Sequence, residues 1–185
     1  MHPIPVGKRF GPIVQIAYLV PNVDDAMEQW VRQAGIGPWT CIRNIELDAI
    51  YEEKPLVLRL HEALSYADGL QIQLVQSLNA STEATPYRSS IEQGRYGLHH
   101  VAFFSTDIDA DVATAEAQGF ERTCEMRSRD GHRYFYCRSK SLPETWFEFL
   151  EVYPLLEKIF EEGIADAARW NGSDPIRNVD YSDLQ

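Results

Sequence analysis

Residues 15–26 read QIAYLVPNVDDA and residues 100–111 read HVAFFSTDIDAD, and the two stretches are copies of one unit. Gln15 falls on His100, Ala17 on Ala102, Tyr18 on Phe103, Val23 on Ile108 and Asp24 on Asp109. Each copy is an apolar strand that runs into a helix start. Asn22 and Asp107 stand where a side-chain oxygen accepts from the first free N–H groups of the helix. Each helix stops at a glycine, Gly35 in AGIGP and Gly119 in AQGF, the residue that ends helices in the left-handed conformation. A second match lies further along: LQIQLV at 70–75 aligns with TWFEFL at 145–150, so Gln73 falls on Glu148.

Each half therefore reads strand, helix and three further strands. The first half is expected at 12–20, 23–34, 40–47, 56–66 and 70–77, and the second at 98–105, 108–118, 121–128, 132–138 and 145–152. Asp68-Gly69 and Asp130-Gly131 are hairpin turn signals in equivalent places. If Asp130-Gly131 is a two-residue turn, Cys124 stands directly opposite Cys137. The polar, proline-containing stretch 79–96 reads as a linker. The expected fold class is α+β, with two tandem strand–helix–strand–strand–strand modules, 12–78 and 98–152. Residues 153–185 add a C-terminal helix and tail, and 1–185 is one domain.

Side chains alternate along a strand. Val14, Ile16, Tyr18 and Val20 form one face of the first strand and pack under the helix, leaving Gln15, Ala17 and Leu19 on the other. The same reading puts Gln71, Gln73 and Val75, then His100, Ala102 and Phe104, then Trp146, Glu148 and Leu150 away from the helices. Gln15, Gln73, His100 and Glu148 thus sit mid-strand, at matched places in the repeat, among apolar neighbours. One account is a solvated sheet face. The other is a pocket, an apolar concavity with a few convergent polar groups. One imidazole, one carboxylate and two amides would suit a divalent ion with open positions, such as Mn²⁺, Co²⁺, Ni²⁺, Zn²⁺ or Fe²⁺.

Composition narrows the class. The 185 residues carry 17 basic and 28 acidic side chains, a net charge of −11. That excludes a basic stripe for nucleic acid or an anionic membrane, and no apolar run reaches the ~20 residues of a membrane span. Met1–Lys8 has no apolar signal core, which places the protein in the cytoplasm as an expectation. The three cysteines have no metal-like spacing and fit reduced thiols there.

The stretches QIAYLVPNVDDA, LQIQLVQSLN, GLHHVAFFSTDID and ETWFEFLE resemble the vicinal-oxygen-chelate superfamily of glyoxalases, epimerases, extradiol dioxygenases and bleomycin-resistance proteins. GLHHVAF and the helix after it look most like methylmalonyl-CoA epimerases; glyoxalase I is the next likeness. The resemblance implies that the two βαβββ modules form a curved mixed sheet around a metal-binding cleft, with a divalent-metal site at Gln15, Gln73, His100 and Glu148. It implies a metal-dependent lyase or isomerase that stabilises an enolate of a small oxygen-chelating carbonyl or thioester substrate, with Glu148 as a base. Gln15 stands where a dioxygenase has its first histidine, which speaks against that chemistry. The alternative is a non-catalytic small-molecule binder of the bleomycin-resistance kind.

The resemblance to epimerases implies a second base, a Glu in the loop before the third strand, where Glu52-Glu53 lies. His61 is the other candidate. With Leu58, Leu60 and Leu64 on the packed face, Arg59, His61 and Ala63 face the pocket, where His61 either lines it or acts as a base. His99 alternates away from His100 and reads as a packed residue. Residues 154–170 show helical spacing of Leu155, Leu156, Ile159, Phe160 and Ile164. That helix packs on the sheet, meets a partner in a homodimer, or covers the pocket.

Overall fold

The helix starts form as their caps dictate. Asn22 Oδ1 accepts from the N–H groups of Asp24 (2.8 Å) and Asp25 (3.1 Å), and Asp107 Oδ1 accepts from Ala110 (3.1 Å). A computed structural model describes residues 9–183, without the side chains of Pro143 and Glu144; Met1–Lys8 lie outside the described residues. The first module runs β1 (Gln15–Leu19), α1 (Val23–Gln29), β2 (Trp39–Tyr51), β3 (Lys54–Ala67) and β4 (Leu70–Ser77). A π-helical turn, Trp30–Ala34, extends α1 to Gly35, whose φ of 65° closes it. After α2 (Arg88–Glu92), the second module runs β5 (Gly97–Ser105), α3 (Ile108–Ala117), β6 (Phe120–Arg127), β7 (Arg133–Ser139) and β8 (Leu142–Glu151). The chain ends in α4 (Pro154–Arg169), β9 (Ile176–Asp180) and a 3₁₀ turn, Tyr181–Asp183.

The strands form one curved sheet in the order β3-β4-β1-β5-β8-β7-β6-β2-β9, and β2 also pairs with β3, so the sheet closes on itself. β1 runs parallel to β4 and β5 parallel to β8, while β1 and β5 meet antiparallel at the join between modules. This is a mixed α+β fold with four α-helices among the described residues. Both faces of the sheet are apolar. Outside, Val23 and Met27 of α1 pack on Ile72 and Leu74, and Ile108, Val112 and Ala115 of α3 pack on Phe135 and Phe149. Inside, Leu19, Leu60, Val75, Met126 and Trp146 belong to another cluster. Leu156 and Phe160 of α4 join Tyr66, Ala102 and Leu150. Among the described residues no helix is long and apolar enough to cross a membrane.

Four expectations change. The β6–β7 loop has three residues, closed by Ser128 N–H to His132 O (2.9 Å). One extra residue shifts the register, so Cys124 pairs with Tyr136. Cys124 joins the inner cluster and Cys137 the outer one. The stretch 79–96 is more than a linker, because it carries α2 and the fully buried Tyr87. Glu52 and Glu53, with φ of 47° and 65°, form the exposed tip of the β2–β3 hairpin and do not line the cavity described below. The tail contains β9, which pairs in parallel with Trp39–Arg43 of β2.

Candidate functional site

The cavity inside the sheet has a volume of about 640 Å³ and is lined by Gln15, Glu62, Gln73 and Glu148 among apolar and aromatic side chains. Strand register brings these residues to one face. Ala17 lies across from His100, Ala102 beside Glu148, and Gln73 beside Ala17. His100 Nε2 stands 3.1 Å from Gln15 Oε1 and 3.0 Å from Glu148 Oε2. Gln73 lines the same cavity, and its Oε1 is buried without a hydrogen-bond partner.

Each donor is oriented from behind. Tyr66 Oη donates to the Ile159 carbonyl of α4 (3.3 Å), and Gln71 Nε2 donates to Tyr66 Oη (2.5 Å). Gln15 Nε2 in turn donates to Gln71 Oε1 (2.6 Å). That relay uses up the Gln15 amide nitrogen and leaves its oxygen aimed at His100. A second relay sets the imidazole. A carbonyl only accepts, so the 3.4 Å contact of His99 Nε2 with Pro86 O puts the His99 proton on Nε2. His99 Nδ1 is then an acceptor, and His100 Nδ1, 3.0 Å away, donates to it. In that tautomer, the one a metal ion requires, His100 Nε2 carries a lone pair; in the other it donates to Gln15 Oε1 and Glu148 Oε2.

Electrostatics agree with neutral imidazoles and a reluctant carboxylate. Burial pushes both His99 and His100 down to about 3. Burial raises Glu148 to about 8. One ring nitrogen and two oxygens around one point need a proton or a cation between them: a proton on His100 Nε2, a proton on Glu148, or a metal ion. The orphaned Gln73 oxygen is the same kind of demand. The donor set therefore fits a divalent ion of the mixed N/O type. Among the described residues no three His, Cys, Asp or Glu side chains cluster as a metal-binding group; half of this set is amide.

His61 belongs elsewhere. β3 turns the opposite face to the cavity from the one expected, so Leu60, Glu62 and Leu64 line it. His61 Nδ1 instead accepts from the Asn44 N–H (3.1 Å), where β2 shifts register between Ile42 and Ile45. It satisfies the backbone of a bulge. The residue missed by the sequence reading is Glu62. Its carboxylate accepts from the Gln73 amide, and burial together with the charge of Glu148 raises it to about 7. The signal for it was available. A two-residue turn at Asp68-Gly69 pairs Ala67 with Leu70 and so sets Leu64 opposite Gln73 and Glu62 opposite Val75. Tyr134 and Tyr136 line the cavity as well.

Comparison with known proteins follows this geometry. The family model of the Glyoxalase/Bleomycin resistance protein/Dioxygenase superfamily matches residues 14–136. Comparison with curated proteins gives no match. Among solved structures, a hypothetical protein from Bacillus halodurans C-125 superposes with a TM-score of 0.55 at 15% identity, over 77% of this chain and 95% of its own. Methylmalonyl-CoA epimerase from Mycobacterium tuberculosis superposes with a TM-score of 0.53 at 18% identity, over 79% of this chain and 91% of its own. At such identities the likeness speaks for the fold alone. The family match spans more than half of the chain, including three of the four mid-strand polar residues. The chain therefore belongs to the glyoxalase/bleomycin resistance protein/dioxygenase superfamily.

Proposed function

We propose that this chain is a divalent-metal-dependent lyase or isomerase that moves a proton on the carbon next to a carbonyl of a small oxygen-chelating substrate. The observation that carries this reading is the convergence of His100 Nε2 on Gln15 Oε1 and Glu148 Oε2 at 3.1 and 3.0 Å, with the unpartnered Gln73 Oε1 in the same cavity. Gln15, Gln73, His100 and Glu148 would hold the ion, which when bound stabilises negative charge on the substrate carbonyl oxygen.

The proton is the work of one carboxylate. Glu62 stands outside the donor set, held by the Gln73 amide, and burial together with Glu148 raises it to about 7, where a base is both available and strong enough. In this reading Glu62 removes the proton, taking the place expected for His61. Glu62, now the carboxylic acid, returns that proton to the neighbouring atom, while Glu148 stays ionised among the residues that would hold the ion. The apolar walls keep bulk water from competing for that proton. The three cysteines are free and buried, which supports a reducing, cytoplasmic setting.

The test is proton–deuterium exchange from D₂O at the carbon next to the carbonyl. Acyl-CoAs, hemithioacetals and hydroxyketones are screened with protein supplied with Mn²⁺ or Co²⁺ or treated with chelator. Metal-dependent exchange that disappears in Glu148→Gln is expected. Exchange that is equal in chelator-treated and metal-supplied protein, or absent from every substrate with both ions, rejects the proposal.

A further inference from the structure

We propose that the cavity takes an uncharged, mostly apolar carbonyl compound with aryl or alicyclic bulk, and not a CoA thioester or a glutathione adduct. The inference rests on the proposed function for the two oxygens at the polar end; the rest of the ligand is read from the walls.

Beyond the polar end, the 640 Å³ cavity is walled by Leu47 of β2, Leu64 of β3, Met126 of β6, Leu150 of β8 and Phe160 of α4. That volume suits a drug-sized ligand. Four of the wall's tyrosine hydroxyls are paired. Tyr87 Oη pairs with Tyr136 Oη at 2.9 Å, and Tyr134 Oη with Tyr153 Oη at 3.2 Å. Each pair spends one hydroxyl proton on its partner, and the rings supply most of the contact area a ligand would meet. Leu155 and Ile159 of α4 line the cavity while remaining 53% and 38% exposed. They form an apolar rim, and α4 turns its acids Glu157, Glu161 and Glu162 to solvent.

Charge excludes the polyanions. Among the described residues lining the cavity, Arg129 is the one cation, against the carboxyls of Glu62, Asp130 and Glu148. The Arg129 guanidinium lies over the Tyr181 ring, 5.3 Å from its centre, and its chain neighbour is Asp130. A CoA carries several phosphate charges and a glutathione adduct two carboxylates. Each would need a cluster of bidentate donors, and a chain of net charge −11 repels both on approach.

The probe is benzoin, an uncharged diaryl hydroxyketone with adjacent oxygens and an exchangeable C–H. It is compared with methylmalonyl-CoA and with the hemithioacetal of methylglyoxal and glutathione. Binding is measured by equilibrium dialysis on chelator-treated and Mn²⁺-supplied protein, with exchange in D₂O followed in parallel. Benzoin is expected to bind at least about tenfold tighter than either anion. Leu155→Glu and Ile159→Glu, at exposed positions the fold tolerates, are expected to weaken benzoin by about tenfold or more while leaving Mn²⁺ binding unchanged. Equal or tighter binding of either anion, or benzoin binding indifferent to both rim substitutions, overturns the proposal. Benzoin bound without exchange in any form rejects the enzymic reading and keeps the ligand class; exchange on methylmalonyl-CoA without benzoin binding does the reverse.

Discussion

Replacing Glu148 by glutamine is expected to stabilise the metal-free protein at alkaline pH while weakening the metal site. Burial raises the Glu148 carboxyl from 4.5 to about 8. A carboxyl raised in the folded state contributes its full stability below the unfolded value, near 4.5. That stability is lost as pH rises, because the unfolded chain ionises freely while the folded chain must hold the proton or bury the charge. One pH unit of separation is worth about 1.4 kcal/mol, so the penalty accumulates to on the order of 5 kcal/mol by pH 8. That is a third or more of the stability of a typical domain, about 5–15 kcal/mol. Glutamine has the shape of the protonated acid and offers His100 Nε2 the same donor, without the ionisation. The buried imidazoles act in the opposite direction, losing stability as pH falls below 6.5, but they are common to both proteins and cancel in the difference. Urea unfolding of chelator-treated protein, followed by tryptophan fluorescence between pH 5 and pH 8.5, measures it. E148Q and the parent should be nearly equal at pH 5 and diverge by up to about 1.4 kcal/mol per pH unit, with E148Q the more stable. A difference independent of pH, or E148Q the less stable at pH 8, refutes the reasoning.

His99→Phe keeps the ring that stacks on Trp146 and meets Tyr87 at a tilt but removes the Nδ1 that pairs with His100 Nδ1. Loss of such an outer partner should lower Co²⁺ affinity by about 10–100-fold, read from the visible absorption of the bound ion; unchanged affinity would mean that His99 only packs. Glu62→Gln should reduce exchange by about 10²–10⁴-fold with metal binding retained, whereas His61→Ala should leave exchange intact and cost about 1 kcal/mol at the β2 bulge; the reverse pattern would restore His61 as the base. Tyr87→Ala should cost about 3–5 kcal/mol in urea unfolding, as for a core residue, and a surface-like value would return 79–96 to the status of a linker.

The repeat made most of the fold legible. β1, β4, β5 and β8 were phased correctly because each carries a polar residue mid-strand, and the duplicated pattern sets Gln15 against His100 and Gln73 against Glu148. β3 was phased wrongly for a physical reason. Its leucines read as a packed face under the helix, but in a closed sheet the inner face is equally apolar, so Leu60 and Leu64 belong inside with Glu62. Hydrophobic periodicity has no sign when both faces are dry; the register from the Asp68-Gly69 turn supplies it. The cysteine pairing failed on one residue of loop length at 129–131, which no composition signal specifies. Tyr87 escaped notice because one aromatic in a polar, proline-containing stretch resembles any loop residue, although it closes the inner cluster and its neighbour Pro86 fixes the His99 tautomer.

The claim on which the rest depends is that Gln15, Gln73, His100 and Glu148 form one divalent-metal centre. Calorimetric titration of Co²⁺ into chelator-treated protein tests it most directly. The account predicts one ion bound per chain, affinity rising with pH up to about 8 as the Glu148 proton is displaced, and binding lost in His100→Ala. No binding across that pH range, or binding unaffected by His100→Ala, would contradict it.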